Sequence, residues 1–165
     1  MNNRPKIKVK LSLIDKIVES IGLAALAGVW IFTLSNYSSL PETIPIHYNL
    51  VGEVDSFGEK GNILFIPIIS TILFIIMTIL NKYPHSFNYL KTITEENAHY
   101  QYANATRLIR LLKLNILIIF GGISFETIGI AKGNFERFGI LFLPLTLGLI
   151  FIPIFYYLIK SSNEK

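Results

Sequence analysis

Four long apolar runs divide the chain, and most charged residues lie between them. The runs cover about residues 17–36, 63–80, 108–130 and 138–159. Each is near the ~20 helical residues needed to cross ~30 Å of hydrocarbon. None alternates apolar with polar residues, and backbone groups in lipid must pair within their own segment, so we predict helices. The pattern therefore predicts an all-α fold, an integral membrane four-helix bundle in a single domain over residues 1–165.

The first long connection, residues 37–62, has an ordered pattern. Ile44, Ile46 and Tyr48 alternate with other residues, which favours a short extended segment. Gly52 and the stretch 55–58 are turn signals. We expect a small ordered loop between the first two helices, for which an irregular hairpin is one candidate form.

The second long connection, residues 81–107, ends in a helix start signal. Thr94 is a candidate N-cap, and Glu95 follows in the first turn. A helix from Glu95 to about Ile130 would be about 54 Å long, so we expect roughly 20 Å to project beyond the bilayer. In the fourth run, we expect Pro144 and Pro153 to lie inside the helix and kink it.

Lysine and arginine are distributed unevenly between the two sides of the predicted bundle. Twelve lie in the terminal tails and in the second connection with its flanks, against three on the other side, Lys60, Lys132 and Arg137. The positive-inside rule predicts a multi-pass protein with both termini cytoplasmic and residues 37–62 outside. The net charge of +4 at pH 7 is then a topology signal, and we expect no nucleic-acid partner. The alternative, a secretory signal ending near residue 27, is disfavoured by the charges at Asp15 and Glu19.

Composition excludes several kinds of chemistry. Without cysteine there is no disulfide, thiol nucleophile, zinc–cysteine site or iron–sulfur cluster. The sequence also lacks a zinc-protease helix motif, a nucleophile elbow, a P-loop and a glycine-rich dinucleotide turn. We predict no enzyme activity, no catalytic residues, no cofactor and no metal. An enzyme or metalloprotein using His47, or Glu95 with His85 and His99, is an alternative without a supporting motif.

The first connection is acidic and contains the candidate binding residues. Glu42, Glu53, Asp55 and Glu59 against Lys60 give it a net charge of −3. A negative surface outside the membrane attracts cationic peptides. The candidate ligand-binding residues are His47, Asn49, Asp55 and Lys60. In the alternative interpretation, His47 and Asp55 hydrogen-bond each other and only hold the loop in shape.

Glu126 is the acidic residue that lies well inside an apolar run. Ionisable groups at membrane depth are candidate functional residues, so Glu126 is a possible membrane-embedded functional acid. It lies about 6 Å from the predicted end of its helix, where it can also pair with Lys132. Glu19 is interpreted as a boundary residue beside Lys16.

The first connection resembles a bacterial membrane family known as domain of unknown function 1648. The shared pattern is L-P-x-x-I-P-x-H-x(4)-G-x-x-D-x-x-G-x-K. It is matched here by Leu40, Pro41, Ile44, Pro45, His47, Gly52, Asp55, Gly58 and Lys60. The same domain forms the N-terminal part of immunity proteins of the SdpI type, which continue into further membrane helices. With the Ile, Asn and Lys content, the resemblance implies a bacterial plasma membrane.

The resemblance and the acidic loop lead to one preferred function and two alternatives. We expect a non-enzymatic integral membrane protein that binds a ligand, such as a secreted cationic peptide toxin, at its outer face for immunity or signalling. A small transporter or proton-coupled carrier that uses Glu126 is one alternative. A packing subunit of a larger membrane complex, held by another membrane protein through small-residue faces, is the other. In every case the lipid bilayer is a partner.

Overall fold

The computed structural model describes residues 4–163, which form a mostly helical bundle. The elements are α1 (Leu13–Tyr37), β1 (Thr43–Tyr48), β2 (Val54–Glu59), α2 (Phe65–Leu80), α3 (Ala98–Ala131) and α4 (Phe142–Ser162), with 3₁₀ turns at Lys60–Leu64 and Pro84–Ser86. Four helices in this range are long and apolar enough to cross a membrane. The chain is therefore a multi-pass membrane protein, and the prediction of an all-α membrane bundle is confirmed at this level.

The helices run alternately up and down, and α3 packs against the other three. Small residues lie where helices come close, as expected in lipid, where van der Waals packing drives association. Gly22 of α1 faces the Phe74 ring of α2, and Gly121 of α3 faces Val29 of α1. Gly28 of α1 has no neighbour within 4 Å of an added Cβ, so it does not lie at a close helix contact within residues 4–163.

Several helix starts differ from the predicted positions. α1 begins at Leu13 rather than 17, after a capping box formed by Ser12 and Asp15. α3 begins at Ala98 rather than Glu95, because Thr94 and Asn97 cap a separate turn in which each backbone N–H donates to the other side chain. α4 begins at Phe142 rather than 138, which places Pro144 in the first turn and leaves Pro153 inside the helix. Proline is tolerated in a first turn because the N–H it lacks has no helical partner there.

The connection between α1 and α2 folds into an antiparallel hairpin at one end of the bundle, here called the hairpin end. Its register is shifted on both sides of His47, so the strands are irregular. Asn49 shapes the tip, since its Oδ1 accepts the backbone N–H groups of Val51 and Glu53. The hairpin is held against the helices by a buried apolar cluster of Leu40, Ile44, Ile63 and Ile128.

The opposite end of the bundle, here called the terminal end, carries a second small core. The segment before α1 lies extended along α3, with Ile7 and Val9 packed against a buried cluster that includes Tyr102. The Tyr102 hydroxyl donates to the Pro5 carbonyl oxygen at 3.1 Å, and Arg4 donates to the Phe87 carbonyl oxygen at 2.6 Å. The first turns of α3 therefore pack against the segment before α1 and against the connection that follows α2.

Candidate functional site

A groove lies between the hairpin, the start of α2 and α3. Its volume is about 580 Å³, within the range of sites that bind small molecules. The lining is mostly apolar and includes Ile44, Ile46, Ile63, Phe65, Ile66 and Ile123. Polar groups enter it from His47, Tyr48, Asn62 and Thr127. The hairpin thus forms one wall of a cavity whose other walls are helices.

His47 and Asp55 meet on neighbouring strands at the edge of this groove. His47 Nδ1 lies 2.6 Å from Asp55 Oδ1, and both side chains are largely exposed. In the neutral imidazole, a proton on Nδ1 that is donated to Asp55 leaves Nε2 as an acceptor. Nε2 has no hydrogen-bond partner among residues 4–163. The pairing thus fixes the ring of a residue that lines the groove.

The structure places the other predicted binding residues at the two ends of the hairpin. Asn49 is used within the tip, where its Nδ2 also donates to Glu53 Oε2 at 3.0 Å. Lys60 lies at the base, where its Nζ donates to Glu42 Oε1 at 2.7 Å. The hairpin therefore brings His47 and Asp55 together and keeps Asn49 and Lys60 in separate contacts. A ligand-binding role for these four residues stays a prediction.

Glu126 lies near the end of α3, outside the groove. It accepts a hydrogen bond from the Gly139 backbone N–H at 3.3 Å, which ties α3 to the connection before α4. The predicted pairing with Lys132 is wrong, because Lys132 donates to Asn36 Oδ1 at 2.6 Å. Burial, together with the negative charge of Glu126, raises the pKa of Tyr48, whose hydroxyl donates to Thr127. Tyr48 therefore remains a neutral donor under physiological conditions.

Charged side chains form a ladder between α1 and α3 towards the terminal end. Asp15 accepts two hydrogen bonds from Arg107, at 2.9 and 3.2 Å, in a bidentate pair. Glu19 lies 2.6 Å from Lys113 Nζ and 3.3 Å from Arg110 Nε. The interpretation of Glu19 as a boundary residue beside Lys16 did not predict these partners on α3. The two carboxylates of α1 face the three cations of α3 at matching heights, because both helices run in the same direction.

Lys113 is the deepest cation of this ladder. Its side chain is only 2% exposed and also donates to Thr78 Oγ1 of α2 at 2.9 Å. The ammonium lies 4.2 Å from the centre of the Phe74 ring, a cation–π distance. The sequence carries a signal for this ladder, since the acids are four residues apart and the cations three, spacings that align side chains on one helix face. The ladder was not predicted, because these charges were used only to infer the topology.

Comparisons with known proteins agree with the hairpin motif. Residues 24–71 match the model of the family described as "Domain of unknown function (DUF1648)". This stretch of the chain is therefore similar to that domain. It contains the whole hairpin and the α2 side of the groove, whereas the α3 side lies outside it. The predicted resemblance to this family is therefore confirmed for these residues.

A full-length relative extends the similarity beyond the hairpin. The chain is 28% identical over 161 residues to a protein of Archaeoglobus fulgidus described as "Uncharacterized protein", which covers 89% of this chain and 87% of the relative. The similarity thus extends well beyond residues 24–71 and reaches an archaeon. No solved structure matches the chain.

Proposed function

We propose that the protein is a non-enzymatic membrane protein that binds a ligand at its outer face, in the groove beneath the hairpin. The observation that carries the proposal is the groove itself, a cavity of about 580 Å³ whose wall is built from the family's own hairpin. Apolar pockets with a few convergent polar groups are the usual form of binding sites. Protection against a secreted peptide toxin, or inward signalling, is the biological role that the resemblance to immunity proteins supports.

Charge supports the same proposal. The hairpin carries Glu42, Glu53, Asp55 and Glu59 against Lys60. Lys60 is engaged by Glu42, so the acidic character of the remaining surface is not cancelled locally. A negative outer surface raises the local concentration of a cationic ligand.

The proposal places the hairpin end outside the cell and the terminal end in the cytoplasm. The natural chain has no cysteine, so single cysteines report topology without background. We expect Ser39→Cys, exposed at the hairpin end, to react with a membrane-impermeant maleimide on intact cells. Ser86→Cys, exposed at the terminal end, should react only after the membrane is permeabilised. The reverse labelling pattern would contradict the orientation.

The function is tested by survival of a sensitive bacterial host that expresses the protein and is challenged with secreted cationic peptide toxins. We expect His47→Ala to remove most of the protection, because the substitution deletes the acceptor at the groove and leaves Asp55 without its partner. Protein level in the membrane is measured alongside.

His99→Ala is the matched control, since it makes the same substitution at an exposed position of the terminal end. It should protect as well as the unmodified protein. Equal protection by both variants at matched protein level would place the function elsewhere. If no toxin is resisted by the unmodified protein, the immunity role fails, and crosslinking in native membranes then tests for a stable protein partner.

A further inference from the structure

The groove under the hairpin combines an extensive apolar lining with a small polar part. The apolar part comes from Ile44, Ile63, Phe65, Ile66 and Ile123. Ile44 and Ile63 are almost completely buried, whereas Phe65 is 59% exposed. A ligand that fills this space must present apolar surface over most of its length.

Two of the groove walls belong to membrane-spanning helices. Ile66 lies in α2 and Ile123 in α3, both within the candidate spans. The third wall is the hairpin, which packs against the last turns of α3. The groove thus lies at one end of the candidate spans, where we expect the headgroup region, with Phe65 exposed at the start of α2. A ligand can reach it sideways from the bilayer rather than only from water.

The polar groups at the groove include acceptors, beside the Thr127 hydroxyl, which can donate. His47 Nε2 is an acceptor in the neutral imidazole whose Nδ1 proton is donated to Asp55. The Asn62 amide nitrogen donates to the Glu59 carbonyl oxygen at 2.8 Å, which leaves Asn62 Oδ1 without a donor among residues 4–163. Acceptors of this kind pair with an N–H or O–H group of the ligand.

The charges around these acceptors favour a cation. Asp55 is bound to the His47 ring, and Glu59 follows on the same strand. The nearest lysine along the chain, Lys60, is held by Glu42. A protonated amine supplies several N–H donors and a positive charge at once, whereas a carboxylate or phosphate would meet acceptors and negative charge.

Resting on the proposed function, we infer that the groove binds a cationic amphiphile that enters from the lipid phase. Its apolar chain lies between the hairpin, α2 and α3, and its protonated primary amine is held by His47 and Asn62. The inference specifies the chemical class of ligand, which the proposed function leaves open.

Binding of radiolabelled dodecylamine to the protein in phosphatidylcholine nanodiscs tests the inference, with empty nanodiscs subtracted for lipid partitioning. We expect saturable binding. Unlabelled butylamine, which lacks the chain, and dodecanoate, which reverses the charge, should each compete at least about tenfold more weakly than dodecylamine, a difference of ~1.4 kcal/mol. Equal competition by either compound, or no saturable binding at all, would overturn the inference.

Groove-filling variants locate the binding. Ile123→Trp places a large ring in the groove and should weaken dodecylamine binding by at least about tenfold, whereas Ile118→Trp makes the same change at an exposed position of α3 and should leave it unchanged. If Ile123→Trp does not fold, Ile66→Phe fills the groove from α2, with Ile68→Phe as its exposed control. Binding that survives both filling variants would place the amphiphile elsewhere.

The two proposals fail in different ways. Toxin protection that depends on His47, without saturable dodecylamine binding, contradicts only the ligand class. Dodecylamine binding in the groove without any toxin protection contradicts the immunity role and keeps the ligand class. Loss of both removes the hairpin groove as the functional site.

Discussion

Replacing Glu19 with alanine is expected to lower the free energy of unfolding by about 3–5 kcal/mol. The substitution leaves Lys113, which is almost completely buried, without its carboxylate partner, and leaves Arg110 with only Asp15, at 3.9 Å. An unpaired buried charge costs far more than the pair itself contributes, because the remaining ion stays desolvated. Equilibrium unfolding in mixed detergent micelles measures the change.

The double variant Glu19→Leu with Lys113→Met separates pairing from packing. It removes the Glu19–Lys113 pair and keeps similar side-chain volumes, while Arg110 retains Asp15 at 3.9 Å, so we expect it to recover most of the stability that Glu19→Ala loses. Glu95→Ala, at an exposed position before α3, should change stability by less than about 0.5 kcal/mol. A loss of under about 1 kcal/mol for Glu19→Ala would show that the ladder is solvated in the folded protein.

The second large effect is expected at Gly52, in the hairpin tip. Its φ is +83°, a backbone conformation that residues with a Cβ rarely adopt. An added Cβ would lie 2.9 Å from the Phe138 carbonyl oxygen, and the Gly52 carbonyl oxygen accepts the Phe138 N–H at 2.8 Å. We expect Gly52→Ala to destabilise the protein by roughly 1–3 kcal/mol and to detach the tip from the segment before α4. Thermal unfolding and amide hydrogen exchange at Phe138 measure both effects.

Two other glycines separate the two causes of this effect, which are backbone strain and the close contact with Phe138. Gly133 also has a positive φ, of +76°, but no neighbour within 4 Å of an added Cβ, so Gly133→Ala reports backbone strain alone. Gly61 has neither feature, and Gly61→Ala should be nearly neutral. A Gly52→Ala variant no less stable than Gly133→Ala would contradict the close contact between the tip and Phe138.

The sequence predicted the helices well because lipid imposes a simple rule. A spanning helix must be about 20 residues long and apolar, so the four runs could be recognised without knowing their neighbours. The helix starts were less accurate. Thr94 does act as a cap, but its turn is not continued into the helix, and the helix begins only after Asn97. Local capping signals indicate a turn, and packing decides whether that turn joins the helix.

Part of the candidate site could also be predicted. The spacing of turn residues indicated an ordered loop, and the interpretation in which His47 hydrogen-bonds Asp55 predicted the pairing that the structure has. The groove could not be predicted, because Ile123 and Thr127 reach it from α3, more than fifty residues away along the chain. The contact of Lys132 with Asn36 instead of Glu126 has the same origin, since it depends on how α1 lies against α3.

The sequence by itself determined that this chain is a multi-pass helical membrane protein with an acidic, ordered loop that resembles the DUF1648 family. Those properties follow from local composition, segment length and motif spacing, and they need no knowledge of contacts between distant residues. Tertiary structure alone decided which charges are paired. Asp15, Glu19, Arg107, Arg110 and Lys113 look like flanking charges in the sequence, and they become a ladder because α1 and α3 pack in the same direction at matching heights. The groove exists for the same reason, since a cavity is a property of surfaces that meet.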